Sequence, residues 1–280
     1  MPRIFVFNGQ ICKEGDKVIT ADNRSFRYGD GLFETMRVID GSIALAEYHF
    51  ERLFAGISKL RFEPPTHFTP IYLAEEILSI CKKNKVENAA RIRLMVFRGN
   101  GGLYDPEDLK PNYLIQTWPL DQPGFCWNEN GLVVDIYPSA KKSCDDFAEL
   151  KSNNFLPYIM AALYAKQNRF YDSLVMNQYG RIADATIANL FAVKDGSIYT
   201  PPLSEGCVAG VMRRFLLEDI ATEGHTIKES QFHVNDLLEA DELFLTNAVQ
   251  GIRWVRQFRN KTYINNMGLN LLREVNKKIR

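Results

Sequence analysis

The spacing of apolar residues changes period several times along this 280-residue chain. Near the start, VFNGQIC places Asn8-Gly9 between apolar residues. MRVIDGSIAL sets Asp40-Gly41 between two strand-like runs, and LFAVKDGSIYT repeats the device with Asp195-Gly196. Asn-Gly and Asp-Gly suit tight hairpins because both residues tolerate positive φ, so a hairpin is predicted at each position. Elsewhere the period lengthens. In AEYHFERLFAGISKL, Phe50, Leu53, Ile57 and Leu60 recur at helical spacing, and FTPIYLAEEILSICKKN reads as a second helix. RIRLMVFRG returns to alternation, with Ile92, Leu94 and Val96 on one face and Arg91 and Arg93 on the other.

Later segments continue the mixture. LVVDIYP reads as a strand and NNFLPYIMAALYAKQN as a helix. SLVMNQYGRIAD is read as strand and turn, ANLFAVKDGSIYT as a hairpin, VMRRFLLEDIATEG as a helix, ELFLTN and IRWVRQF as strands, and MGLNLLREVNKKI as a terminal helix. No regular βαβ repeat emerges, so an α+β protein of two domains is expected. The prolines, glycines and turn formers of TWPLDQPGFCWNENG suggest a linker over 119–130. It would join a small N-terminal domain, 1–118, to a larger C-terminal domain, 131–280.

Composition narrows the function classes. Thirty-four basic residues balance 34 acidic ones, which gives no electrostatic case for nucleic acid or an anionic membrane. No apolar run reaches membrane-spanning length, and MPRIFVFNGQ lacks the long apolar stretch of a secretory signal. The five cysteines are scattered and form no CxxC, so reduced thiols in a cytoplasmic protein are expected. The histidines show no metal-ligand spacing, and neither GxSxG nor a Ser-His-Asp order is present.

Several residues are candidates for chemistry, and each also has an ordinary structural use. Lys151, in AELKSNNFLPYIM, precedes an apolar helix; a lysine amine becomes nucleophilic once its surroundings favour the neutral form. Taken alone it reads as an ordinary surface lysine at a helix start. Asp184, in GRIADATIANLF, follows a turn and precedes Ala185, Thr186, Ala188 and Asn189, small residues that admit a flat ligand; alone it reads as a cap. Gly206 and Gly210 lead EGCVAGVMRRF into a helix whose first N–H groups suit a phosphate; alone the segment reads as a glycine loop with no ligand. Arg52, three residues after His49 and so on the same helical face, suits either phosphate or a surface ion pair. Arg93, on the polar face of its strand, has a strand-edge ion pair as its ordinary use.

The order of these signals is informative. FRYGDGLFETMRVIDG, EYHFERLFAGISKL, RIRLMVFRGNGG, LKSNNFL, GRIADATIANLFAVKDGSIYTPP, GCVAGVMRR and ADELFLTNAVQGIRWV follow one another along nearly the whole chain. In this order the chain resembles the class-IV aminotransferases. These are the fold-type IV enzymes of pyridoxal 5′-phosphate (PLP), and they include branched-chain and D-amino acid aminotransferases and aminodeoxychorismate lyase. The resemblance implies a two-domain fold, a homodimer and PLP held as a Schiff base on Lys151. It implies phosphate contacts from Arg52, Val211, Met212, Asn247 and Ala248, with a backbone amide or Thr246 replacing a hydroxyl common in that last turn. Asn189 is expected among the cofactor-binding residues, and Phe33 and Arg93 at the substrate. Asp184 falls where the family usually has Glu bonded to the pyridine nitrogen. Asp is one methylene shorter, so the backbone shifts, a water bridges, or the contact weakens.

The resemblance implies amino transfer between an amino acid and a 2-oxo acid as the first expectation. Aminodeoxychorismate lyase activity, yielding 4-aminobenzoate and pyruvate, is the alternative, and a catalytically silent member is a third. Lys151 to Asn154 forms the KxxN pattern of the D-amino acid and lyase branches. Leu103 and Asp105 stand where D-amino acid enzymes place an arginine and a histidine.

Overall fold

The computed structural model describes residues 4–279, and its backbone divides into two compact units. Unit 1 comprises 1–124 together with the short return Lys151–Asn154; unit 2 comprises 125–150 and 155–280. The first division falls inside the segment expected to be a linker. The return of the lysine segment to unit 1 leaves no trace in composition.

Unit 1 contains β1 (Ile4–Phe7), β2 (Gln10–Lys13), α1 (Arg24–Tyr28), β3 (Gly31–Ile39), β4 (Ser42–Ile43), α2 (Ala46–Lys59), α3 (Pro70–Lys83), β5 (Ala89–Arg98) and β6 (Pro111–Pro119). Its six strands run in the order β2-β1-β6-β5-β3-β4, antiparallel throughout. Asn8 and Asp40 have φ of 49° and 46°, as the two hairpin signals require. Ile92, Leu94 and Val96 are fully buried, and α2 buries His49, Phe50, Leu53, Gly56 and Ile57. The end of the unit is held by Arg37, whose guanidinium donates to the carbonyls of Gln122, Pro123 and Gly124.

Unit 2 contains β7 (Leu132–Lys142), α4 (Leu156–Gln167), β8 (Asp172–Asn177), β9 (Ile182–Ala185), β10 (Asn189–Lys194) and β11 (Ser197–Thr200). These are followed by α5 (Val211–Phe215), β12 (Ile227–Glu229), α6 (Val234–Glu239), β13 (Glu242–Asn247), β14 (Gly251–Phe258), β15 (Lys261–Thr262) and α7 (Asn266–Lys278). A π turn and a 3-10 turn prolong α5 to Glu223. The sheet runs β12-β11-β10-β13-β14-β7-β8-β9, with β15 beside β14. It is mixed: β7 lies parallel to both β14 and β8, and β11 parallel to β12. The third expected hairpin joins β10 to β11, with Asp195 at φ 49°. A large apolar cluster including Leu174, Leu190, Leu243 and Phe258 forms the core, and a smaller one gathers Tyr137, Tyr158, Ala161 and Val175 beneath α4.

Candidate active site

Each unit carries one group of candidate residues. In unit 1, the Lys151–Asn154 return is fastened to the start of β3. Phe33 N–H donates to Lys151 O at 2.9 Å, Asn153 N–H donates to Gly31 O at 2.9 Å, and Leu32 bridges Ser152. The Asn153 side chain donates to Ser25 Oγ at 3.1 Å. A side chain at position 31 would not fit, because its Cβ would meet Val96 O at 2.7 Å. The Lys151 backbone is therefore fixed by a regular strand rather than by a loop.

The Lys151 side chain then meets the Phe33 ring, with Nζ 4.6 Å from its centroid. The Arg93 guanidinium lies 4.0 Å from the same centroid. Burial, helped by the neighbouring Arg91 charge, lowers the Arg93 pKa from its ordinary value. Two cations sharing one aromatic ring form a setting suited to a carboxylate substrate. Phe33, Arg93 and Lys151, all singled out from the sequence, are thus brought together.

Beside them is a buried ionic cluster. Glu34 on β3 is 1% exposed. It accepts Arg52 Nε at 2.8 Å, Arg52 Nη2 at 2.5 Å and His49 Nδ1 at 2.6 Å. Burial by itself would raise the Glu34 carboxyl, but the Arg52 and His49 partners outweigh it and hold the pKa at about 2. Burial lowers His49 and Glu34 opposes that shift, while the Arg52 and Lys151 charges lower it further. A neutral His49 donates from Nδ1, because a carboxylate only accepts. Its Nε2 is buried and has no hydrogen-bond partner among the described residues. The Arg52 guanidinium is thereby held in one orientation. Sequence reasoning missed Glu34, although an acidic residue inside the apolar run LFETM was a usable signal.

In unit 2, Asp184 lies on β9 and is 2% exposed. Its Oδ2 accepts Tyr158 O–H at 2.7 Å, Val208 N–H at 3.0 Å and Lys142 Nζ at 3.3 Å. Lys142 also donates to the Tyr158 hydroxyl. Burial, reinforced by the Asp184 charge, pushes the Tyr158 phenol well above its ordinary range. Asp184 Oδ1 is buried and has no partner among the described residues. Neither Tyr158 nor Lys142 was marked by the sequence, since neither forms a recognisable motif with Asp184.

Nearby in the sheet, Asn189 pairs with Thr246 across β10 and β13. The Asn189 amide donates to Val208 O at 2.8 Å. Its Oδ1 fills the space that a side chain at position 210 would need, lying 1.8 Å from a Cβ built there. Asn189 thus shapes the loop leading to Val211 and Met212. These two residues open α5, where first-turn N–H groups have no intrahelical acceptor. Thr246 Oγ1 is buried without a partner among the described residues. Asn247 Oδ1 accepts the Val249 and Gln250 N–H groups at 3.0 and 2.8 Å, turning the chain at Ala248. A buried hydroxyl and first-turn amides, joined through Asn189, are the donor types a phosphate uses. The unpartnered Asp184 oxygen is what a protonated ring nitrogen requires. The residues therefore fit PLP in kind.

The comparisons agree in family. The model of the amino-transferase class IV family matches residues 31–258, and the chain belongs to that family, whose enzymes depend on PLP. Among curated relatives, aminodeoxychorismate lyase of Vibrio harveyi is 31% identical over 82% of this chain and 83% of its own. Aminodeoxychorismate lyase of Bacillus subtilis is 29% identical over 86% and 82%, and D-alanine aminotransferase of Staphylococcus epidermidis is 25% identical over 88% and 86%. The solved branched-chain aminotransferase of Thermoproteus uzoniensis superposes with a TM-score of 0.90 at 19% identity, covering 100% of this chain and 95% of that one. This likeness establishes the PLP fold-type IV architecture.

Proposed function

We propose that this chain is a PLP enzyme that removes the α-proton of an amine-bearing carboxylic acid, and that it completes the aminodeoxychorismate lyase reaction. The observation that carries the PLP reading is the buried, unpartnered Oδ1 of Asp184. Bound PLP would supply an electron sink for the carbanion left by proton removal. Lys151 would hold the cofactor through its amine and carry the proton at Nζ. Asp184 Oδ1 would accept the ring N–H. The Val211 and Met212 amides, Thr246, the Asn247-Ala248 turn and Arg52 would bind phosphate. Arg93, above Phe33, would orient the substrate carboxylate. The α C–H bond breaks, the C–O bond on the adjacent ring carbon breaks to release enolpyruvate, whose methylene takes up a proton to give pyruvate, and the ring becomes aromatic as 4-aminobenzoate.

The two relatives named as lyases support placing this outcome ahead of amino transfer. Amino transfer to a 2-oxo acid is the second reading, favoured by Arg93 as a carboxylate partner and by the relatives named as aminotransferases. Incubation with aminodeoxychorismate should yield 4-aminobenzoate; failure there, with 2-oxo acid formed from an amino donor of either hand, selects amino transfer. Borohydride reduction of PLP-loaded protein should fix the adduct on Lys151, and Lys151→Ala should abolish both adduct and turnover. An adduct elsewhere refutes the role of Lys151. Colourless protein that PLP does not reconstitute would support a silent member.

A cytoplasmic homodimer completes the proposal. On α4, Leu156, Ile159, Met160 and Leu163 are exposed at spacings that put them on one side of the helix. Such an apolar face suits a second copy of the chain. Light scattering should give twice the mass of 32.1 kDa.

A further inference from the structure

The carboxylate expected to meet the ring nitrogen is one methylene shorter than the family's usual glutamate, yet it is more heavily engaged than a simple contact needs. Three donors from three elements converge on a single oxygen: Tyr158 from α4, Lys142 from the end of β7, and Val208 N–H from the loop before α5. The other oxygen is buried and has no partner among the described residues. A carboxylate's terminal torsion is broad, so its two oxygens exchange places readily unless something distinguishes them.

We propose that Tyr158 and Lys142 are positioning residues for Asp184: they engage Oδ2 and reserve Oδ1 for the ring N–H of the cofactor. This rests on the PLP reading above. With Oδ2 engaged by its donors, Oδ1 is left as the acceptor for the ring N–H. Without these donors the two oxygens exchange, and the ring N–H loses its fixed acceptor. The Tyr158 phenol remains a donor because burial and Asp184 oppose its ionisation. Pre-orientation of the acid lowers the cost of ordering it when the cofactor binds.

The test uses full-length apoprotein titrated with PLP, for wild type, Tyr158→Phe, Lys142→Met and the double variant. Two quantities are read: the PLP dissociation constant, and the ¹⁵N resonance of ring-labelled PLP, which reports whether the nitrogen carries a proton. Each single variant should weaken PLP roughly ten-fold, the scale of one hydrogen bond to a charged group. Each should also move the resonance toward neutral pyridine. The double variant should lose less than the product of the singles, because both act on one oxygen. Variants that lower only the melting temperature, with wild-type affinity and resonance, would overturn the proposal. If Tyr158→Phe does not fold, Lys142→Met decides by the same two readings. Wild-type protein that binds no PLP overturns the functional reading as well, which separates the two failures.

Discussion

Replacing Glu34 by Gln examines whether the ionic cluster of unit 1 stabilises the fold through charge. Glu34 is 1% exposed and accepts two hydrogen bonds from Arg52 and one from His49. Its folded pKa of about 2 lies below the ordinary 4.5, and at about 1.4 kcal/mol per unit this corresponds to roughly 3 kcal/mol. Because the folded value is depressed, the stabilisation is fully present above the unfolded pKa and is lost as pH falls toward 2. The variant has no carboxyl to titrate. At pH 7 it should be less stable by about 3 kcal/mol, comparable to breaking a buried ion pair from one side. By pH 3 the wild type should have lost about 2 kcal/mol of this advantage, so the gap narrows. Loss of the Glu34 charge also removes what opposes the burial shift on His49, so His49→Gln in both backgrounds separates that titration from the one of Glu34. Urea unfolding read from Trp118 fluorescence would follow unit 1, since Trp127 and Trp254, both in unit 2, can be replaced by Phe. A gap that stays constant from pH 7 to pH 3 would refute the charge argument and leave only packing.

Three further outcomes follow from the same geometry. Asp172 is pushed up to about 6, chiefly by burial, while Thr186 and Ser173 donate to it. A raised carboxyl pKa disfavours the ionised folded state, so Asp172→Asn should gain on the wild type as pH rises from 4 to 7, by up to about 3 kcal/mol in urea titrations; a pH-independent difference contradicts this. Arg93→Gln should raise the substrate KM roughly ten- to hundred-fold with a smaller change in kcat, and an unchanged KM would remove Arg93 from substrate binding. Gly210→Ala should weaken PLP binding through collision with Asn189, and Asn189→Ala in the same chain should relieve the collision but not restore full affinity, as equilibrium titration would reveal.

Much of the fold was legible because local chemistry decided it. The turns at Asn8, Asp40 and Asp195 formed as expected, and the helical periodicity of α2 and α3 survived because one face of each is buried. The short elements α1, α6, β12 and β15 were not foreseen. Each spans six residues or fewer, too short to display a period. The strand β6 escaped notice because its PNYLIQTWP runs into proline, and Pro119, read as linker, is its last residue. At the site, Lys151, Phe33 and Arg93 were nominated and meet around one ring. Glu34, Tyr158 and Lys142 were not, because their importance arises from contacts between residues 18 to 42 positions apart. Pairings at that distance are set by sheet order, which periodicity does not encode.

The four-residue return at Lys151–Asn154 also limits how this protein can be dissected. The chain passes from one unit to the other at 124, at 150 and again at 154, so no single scission separates them. A fragment beginning at Phe125 would still contain the lysine but would lack Phe33, its backbone partner, and Gly31, the partner of Asn153. Lys151 is thus encoded in the later part of the chain while its backbone is held by the earlier part.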